Sequence, residues 1–439
     1  MSYAGESHKI LRTVRVNLMS KPGYLGKVAG AIGKAGGDIG DVTIANIGPH
    51  SVTRDISVQV DREEQLAEIR AALGQLEGVE VVDIFDRIFE MHRGGKIHMT
   101  SRVKVDSLAE LRKIYTPGVA DVCRAIAKDR NKADFFTGIP NSVAIVTDGT
   151  AILGLGDIGP VAGMPVMEGK AALFDLLVGI SGVPVLLATT DPGEIIRTVR
   201  NIAPGFGGIL LEDIAAPACF EIEAALQREL DIPVMHDDQH GTAVVTLAAV
   251  LSACRQVGMN IRDAVVGQIG LGASGLANAK MLLDYGAREV LGTDLQQPAM
   301  DRLVEYGGRA ANMNELMKKA DIVVSTTGVA GLIKPEMIRK DQIILALSNP
   351  TPEIEPELAL EAGAAYAADG RAVNNVLGFP GIFRGALDAG AKKITSAMLV
   401  RAAETLAGFA KDGSLVPGPL DREVHRAVAG AVQKVAMGE

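Results

Sequence analysis

The segment Ala264–Gly270, AVVGQIG, followed by LGASG, leaves the second half of the chain few folds to choose from. An apolar strand runs into Gly270-Leu-Gly272-Ala-Ser-Gly275, and LANAKMLLDYGA then reads as a helix without a breaker. A second strand, EVLGT, ends at Asp294, about 20 residues further on. Glycines at these positions admit a pyrophosphate to the backbone, the helix N-terminus faces it, and the acid bonds ribose hydroxyls. The spacing predicts a Rossmann-type domain with Gly270, Gly272, Ala273, Ser274, Gly275 and Asp294 at a dinucleotide. Leu295-Gln-Gln-Pro298 offers no Arg or Lys to a 2′-phosphate, so NAD is expected, with NADP the alternative. An earlier copy of the motif, Gly154-Leu-Gly156-Asp-Ile-Gly159, is followed by Pro160, Gly163 and Pro165. No helix is expected to start there. It reads as a tight loop that shapes a site.

Length and composition narrow the rest. The chain has 439 residues, enough for two or three domains, and 48% apolar against 22% charged residues excludes a disordered or fibrous chain. A net charge of −9, no Trp and six Tyr argue against nucleic-acid binding, which needs cations and stacking rings. Cys123, Cys219 and Cys254 form no CxxC pair and read as buried thiols of a reducing compartment. MSYAGESHKI lacks an apolar signal core, and no apolar run reaches the length of a membrane span. A cytoplasmic globular protein is expected, with no membrane partner.

Four segments are expected: 1–90, 91–240, 241–375 and 376–439. In the first, strands at 8–19, 38–47, 51–60 and 79–88 alternate with helices after Pro22-Gly23 and over EEQLAEIRAALGQL, in the order β-α-β-β-α-β. From residue 91 the pattern becomes strands alternating with helices, the signature of a parallel α/β sheet. Strands are expected at 143–147, 183–189, 207–211 and 232–235, each closely followed by acids: Asp148, Asp191, Glu212-Asp213 and Asp237-Asp238. Ligands of open α/β sheets bind beyond the carboxyl ends of the strands, so these acids are candidates for chemistry. The last segment reads as helical and is expected to pack back on the catalytic domain.

Two adjacent acids after an apolar strand repel each other unless a hard cation joins them, and carboxylates suit Mg²⁺ or Mn²⁺. The competing explanation is helix capping by Asp213 and Asp238. Two pairs favour the metal. His236 and His240 lack the thiolate or third histidine of a zinc site, and read as supporting or core histidines. Lys170, in Met-Glu-Gly-Lys before AALFDLLVGI, is expected at a partly buried helix start. There, helix amides and a metal would disfavour its ammonium form and make it a base. A snorkelling surface lysine is the alternative. Tyr115 precedes a Pro-Gly turn, where packing is the ordinary role.

Residues 1–90 resemble an ACT domain, on Pro22-Gly23, the apolar helix and the turn Gly36-Gly37-Asp38-Ile39. That resemblance implies a ferredoxin-like regulatory module with a small effector, such as an amino acid, near Pro22 and Gly23. A dimerisation module without a ligand is the alternative.

Residues 91–439 resemble a malic enzyme of the short bacterial type. The matching stretches are Tyr115-Thr-Pro-Gly-Val-Ala, Asp148-Gly-Thr-Ala-Ile-Leu-Gly-Leu-Gly-Asp, Met167-Glu-Gly-Lys, Leu211-Glu-Asp-Ile, His236-Asp-Asp-Gln-His-Gly-Thr, Ser348-Asn-Pro-Thr-Pro-Glu and Asn374-Asn-Val-Leu-Gly-Phe-Pro-Gly. The resemblance implies Glu212, Asp213 and Asp238 as metal ligands, Lys170 as general base paired with Asp237, and Tyr115 as general acid. It implies Asn349 and Asn375 at the substrate, with Asn349 also near the nicotinamide. The implied reaction is metal-dependent oxidative decarboxylation of L-malate to pyruvate with reduction of NAD(P)⁺, in a homodimer or larger even assembly. Ala151 stands where animal-type enzymes carry an arginine for a malate carboxylate, leaving Lys104 and Arg112 as candidate cations. The alternatives are a catalytically silent relative and another NAD enzyme, such as an amino-acid dehydrogenase, that needs no metal.

Overall fold

The structure, a computed structural model, describes residues 9–152, 155–411 and 413–439. The fold divides into two units after His98, later than the expected boundary at 90/91.

The first unit has the expected element order. β1 (Ile10–Met19), a helix Tyr24–Lys34, β2 (Asp38–Ile47), β3 (Ser51–Val60), a helix Glu64–Gly74 and β4 (Val79–Phe85) follow one another. The sheet order is β2-β3-β1-β4, with antiparallel neighbours. Alternation explains the core: Val14, Val16 and Leu18 of β1 and Ile56, Val58 and Val60 of β3 point to one face. Helix residues at 3.6-residue spacing, Val28, Ile32, Ile69 and Leu73, close over them. Each such side chain contributes roughly 1.5–3 kcal/mol by leaving water.

The second unit holds two parallel sheets. β5 (Ser142–Thr147), β6 (Ser181–Leu186), β7 (Gly208–Leu211) and β8 (Val234–His236) form the first, in the order β6-β5-β7-β8. β9 (Val265–Ile269), β10 (Glu289–Thr293), β11 (Arg309–Ala310), β12 (Ile322–Ser325), β13 (Ile343–Ala346) and β14 (Tyr366–Asp369) form the second, in the order β11-β10-β9-β12-β13-β14. That is the doubly wound arrangement in which the crevice beside the first strand takes a dinucleotide. All neighbours in both sheets are parallel, and their strands are near-continuous apolar runs because helices cover them.

One helix, Asp237–Val257, leads from β8 towards the second sheet. It packs on the helices Ala273–Tyr285 and Ser396–Phe409, which accounts for its almost continuous burial. The expected boundary at 240/241 therefore falls inside a helix. The C-terminal helices Phe379–Asp388 and Arg422–Ala436 return to the helix Pro160–Val178. There Phe174 meets the rings of Phe379 and Phe383 edge-on at 4.9 and 5.6 Å.

Two further expectations are corrected. A helix does start after the first glycine motif: Pro160–Val178 begins directly behind Gly159. Proline is well suited to the first helical position, where its missing N–H would have had no partner, and the helix accommodates Pro165 inside it. Gly154 of that motif lies outside the described residues. Cys123 is exposed rather than buried, because its helix Val119–Lys128 buries no residue, whereas Cys219 and Cys254 are buried as expected.

Candidate functional site

The acids at the strand ends separate into two kinds. Asp191 caps the helix Pro192–Ile202 by accepting from the Glu194 N–H at 2.7 Å, and Asp148 binds the Thr150 N–H and hydroxyl. Both are local structure. Glu212, Asp213 and Asp238 instead converge, with one carboxylate oxygen from each lying within 4.8 Å of the others. Glu212 and Asp213 follow β7 where the chain turns, and Asp213 holds φ at 53°. Such a left-handed conformation costs a residue with a side chain about 1–2 kcal/mol. Adjacent side chains of a strand point to opposite faces, so both acids reach one point only because the chain bends between them. Asp238 caps nothing: its Oδ2 accepts the Asp213 N–H at 3.1 Å, and the helix Asp237–Val257 has no side-chain cap.

These three carboxylates fit a divalent cation on their own chemistry. Burial raises the Glu212 carboxyl well above its usual range; Lys170 pulls it down, while Asp237, Asp238 and Asp213 push it up again. Glu212 Oε2 is buried without a hydrogen-bond partner. An oxygen-preferring cation would satisfy that atom and remove the repulsion.

Lys170 lies in the middle of the helix Pro160–Val178, not at its start, and its side chain is only 9% exposed. It does not snorkel. Its Nζ donates to Asp237 Oδ2 and lies 2.9 Å from Glu212 Oε1, over the Phe379 ring at 4.6 Å. Asn375 Nδ2 donates to the same Asp237 oxygen at 3.0 Å. Burial works against the ammonium, but Asp237 and Glu212 outweigh it and the net direction is upward. The expectation of a helix start is corrected; carboxylates rather than helix amides surround Nζ.

A cavity of about 850 Å³ opens beside the acids. Asp238, Asn349 and Asn375 line it together with Ala273 and Ser274 of the glycine loop, so metal-type acids and dinucleotide loop share one space. Ala151 lines it too, and its N–H donates to the Asp213 carbonyl at 3.0 Å. The first glycine motif thus borders a loop that shapes the site. Lys104 and Arg112 are exposed and lie outside the described lining, where the cationic side chain is Arg371. Tyr115, 68% exposed at the end of the helix Leu108–Ile114, also lies outside that lining.

At the second sheet, Gly275 is required: a Cβ there would sit 2.0 Å from the Gly270 carbonyl oxygen. Gly270 and Gly272 lead into the helix Ala273–Tyr285. Asp294 Oδ2 accepts the Leu271 N–H at 2.7 Å and Oδ1 the Gln296 N–H at 2.9 Å, tying the acid to the loop.

Two glutamates escaped the sequence reasoning. Glu353 binds the Thr327 N–H and hydroxyl and the Ser348 hydroxyl, holding the turns beside Asn349. It fell within a quoted motif but no spacing marked its role. Glu223 binds the segment around Asp237 and Asp238. His240 is its partner, and His236, fully buried, stands 3.8 Å from Asp238, which agrees with supporting histidines.

A doubly wound sheet with a glycine loop, joined to a second parallel sheet whose strand ends carry converging acids, is an architecture of dinucleotide-binding oxidoreductases. Comparison narrows the class. Residues 95–227 match the malic enzyme N-terminal domain and residues 294–437 the malic enzyme NAD binding domain. NAD-dependent malic enzyme 1 of Bacillus subtilis (strain 168) is 61% identical over 430 residues, covering 98% of each chain. NAD-dependent malic enzyme of Geobacillus stearothermophilus is 43% identical, covering 97% of this chain and 94% of its own. The crystal structure of malic enzyme from Pyrococcus horikoshii OT3 superposes with a TM-score of 0.76 at 39% identity, covering 80% of this chain and 90% of its own. The chain belongs to the malic enzyme family.

Proposed function

We propose that this protein catalyses the oxidative decarboxylation of L-malate to pyruvate and CO₂ with reduction of NAD⁺, and that it requires Mg²⁺ or Mn²⁺. The observation that carries this reading is the convergence of Glu212, Asp213 and Asp238 beside a cavity that also reaches the glycine loop. Glu212, Asp213 and Asp238 would hold the cation. When bound, the ion supplies a Lewis acid for the malate C2 oxygen and NAD⁺ the acceptor for the C2 hydride.

The remaining work falls to side chains. Lys170 Nζ takes the C2 hydroxyl proton, which requires that the Glu212 charge now beside it be engaged elsewhere. Asp237, steadied by Asn375, keeps Nζ aimed and stabilises the ammonium once the proton has moved. Loss of CO₂ from C4 leaves an enolate; Tyr115, which lies outside the cavity lining of its own chain, would deliver the proton that completes C3 from a second copy. Asn349 and Asn375 orient the substrate, with Asn349 also near the nicotinamide. Arg371 counters the C4 carboxylate, the task for which position 151 offers only alanine.

NAD is favoured over NADP because Asp294 is followed by no cation through Pro298, and the two relatives that match nearly the whole chain are named NAD-dependent. Gly270, Gly272, Ala273, Ser274 and Gly275 would border its pyrophosphate, with Asp294 at the ribose.

We further propose that residues 1–90 act as an ACT-like regulatory domain. A cavity of about 360 Å³ there is lined by Lys21, Pro22, Gly23, Tyr24 and Arg54. Two cations favour a small carboxylate-bearing effector such as an amino acid. The assembly is proposed as a cytoplasmic homodimer or larger even oligomer, with the exposed Leu108, Tyr115 and Phe135 as surface for a second copy. Domains at 91–240, 241–375 and 376–439 complete the proposal, with the helix Asp237–Val257 shared between the first two.

The test is absorbance at 340 nm with L-malate and Mn²⁺, comparing NAD⁺ with NADP⁺. NADH formation that EDTA stops and Mn²⁺ restores supports the proposal; activity indifferent to EDTA points to a dehydrogenase that needs no metal.

A further inference from the structure

We propose that Glu223 is a positioning residue for the cation site: it fixes the first turn of the helix Asp237–Val257, and with it the directions of Asp237 and Asp238. Glu223 belongs to a different helix, Ala218–Glu229, and is 5% exposed. Its carboxylate takes three donors, all from one short segment. Oε1 accepts the His236 N–H at 2.8 Å, while Oε2 accepts Gln239 Nε2 and His240 Nε2, each at 3.0 Å. The dipeptide Asp237-Asp238 is thus pinned immediately before and immediately after. Asp237 instead binds Lys170 and Asn375, and Asp238 accepts the Asp213 N–H. Glu223 acts through the turn.

The turn needs such an anchor. The first N–H groups of a helix lack intrahelical acceptors, and here no side chain within the turn caps them. Glu223 supplies an acceptor from outside. A buried carboxylate is costly unless hydrogen-bonded, and three donors compensate this one. Glutamine of the same shape keeps one acceptor but presents an amide NH₂ to Gln239 and His240, which are donors already. Glu223→Gln therefore releases the turn without emptying the space.

The inference rests on the proposed cation site, so the titration begins with the unaltered protein. Free Mn²⁺ is followed by electron paramagnetic resonance during titration, and NAD⁺ affinity and melting temperature are measured on the same samples. In Glu223→Gln the Mn²⁺ Kd is expected to rise about 10- to 100-fold, the usual cost of losing a partner behind a ligand. NAD⁺ affinity is expected to stay unchanged, which general loosening of the fold would not allow. Should that variant not fold, Gln239→Leu and His240→Leu each remove one donor and are expected to raise the Mn²⁺ Kd in smaller steps. If the unaltered protein binds no Mn²⁺, the cation-site proposal fails, and this one with it. If it binds Mn²⁺ and the folded variants bind equally well, the positioning role alone is overturned.

Discussion

Lys170 is held by two carboxylates and an aromatic ring, and its chemistry follows from which of those charges remain engaged. Lys170→Ala removes the proposed base, and kcat is expected to fall by about 10²- to 10⁴-fold. Hydride transfer at the unaltered rate in that variant would end the assignment. Arg371 predicts a different signature. Arg371→Gln should raise the malate KM about 10- to 100-fold with the hydride-transfer rate nearly unchanged, because the C4 carboxylate keeps its charge through that step. Glu353 has a pH signature. Burial raises its carboxyl, but hydrogen bonds from Ser348 and Thr327 outweigh this and the net direction is down. A carboxyl lowered by folding stabilises above its unfolded pKa, and that stability disappears as pH falls through the folded value. Glu353→Gln should therefore lower Tm at pH 7, with the difference closing below about pH 4.5. A gap of constant size down the pH scale contradicts this.

The helix Asp237–Val257 connects chemistry to packing at the level of elements. Gly241 lies one turn beyond Asp237, and a Cβ there would come within 1.9 Å of Asp237 Oδ1. Alanine would otherwise suit a helix better than glycine by about 1 kcal/mol. Gly241→Ala is thus expected to lower kcat, and to lower Tm as well because Asp237 is the buried partner of Lys170; unchanged kcat would mean that the position of Asp237 does not matter. Elements like these were legible to different degrees. The glycine loop announced itself because strand, turn and helix are local. β2 and β3 matched their expected ranges because the Gly48-Pro49-His50 turn separates two runs rich in branched residues. The start of the helix Pro160–Val178 was missed because proline breaks an interior but suits a first position. The pairing of Lys170 with Asp237 came only from the resemblance, since 67 residues separate them and only folding brings them together. Glu223 offered no signal at all, being one acid among several on an amphipathic helix.

For the whole molecule, two units that divide after His98 carry separate expectations. The strand-end acids of the second unit were legible as pairs, and their convergence required the left-handed turn at Asp213. The first unit was legible as a topology, and its effector is a matter for experiment. If it senses a small carboxylate, an amino-acid panel should raise Tm or change the rate, and Lys21→Ala or Arg54→Ala should remove that response. A panel without any response leaves the unit with a role in assembly only. The central claim is that one site both oxidises malate and releases CO₂ with a cation held by Glu212, Asp213 and Asp238. The most direct test is the ratio of pyruvate to NADH formed from L-malate, measured with Mn²⁺ present and again after its removal. The account predicts one pyruvate per NADH with the metal and neither product without it. NADH accompanied by oxaloacetate instead of pyruvate, or an unchanged rate after metal removal, would contradict it.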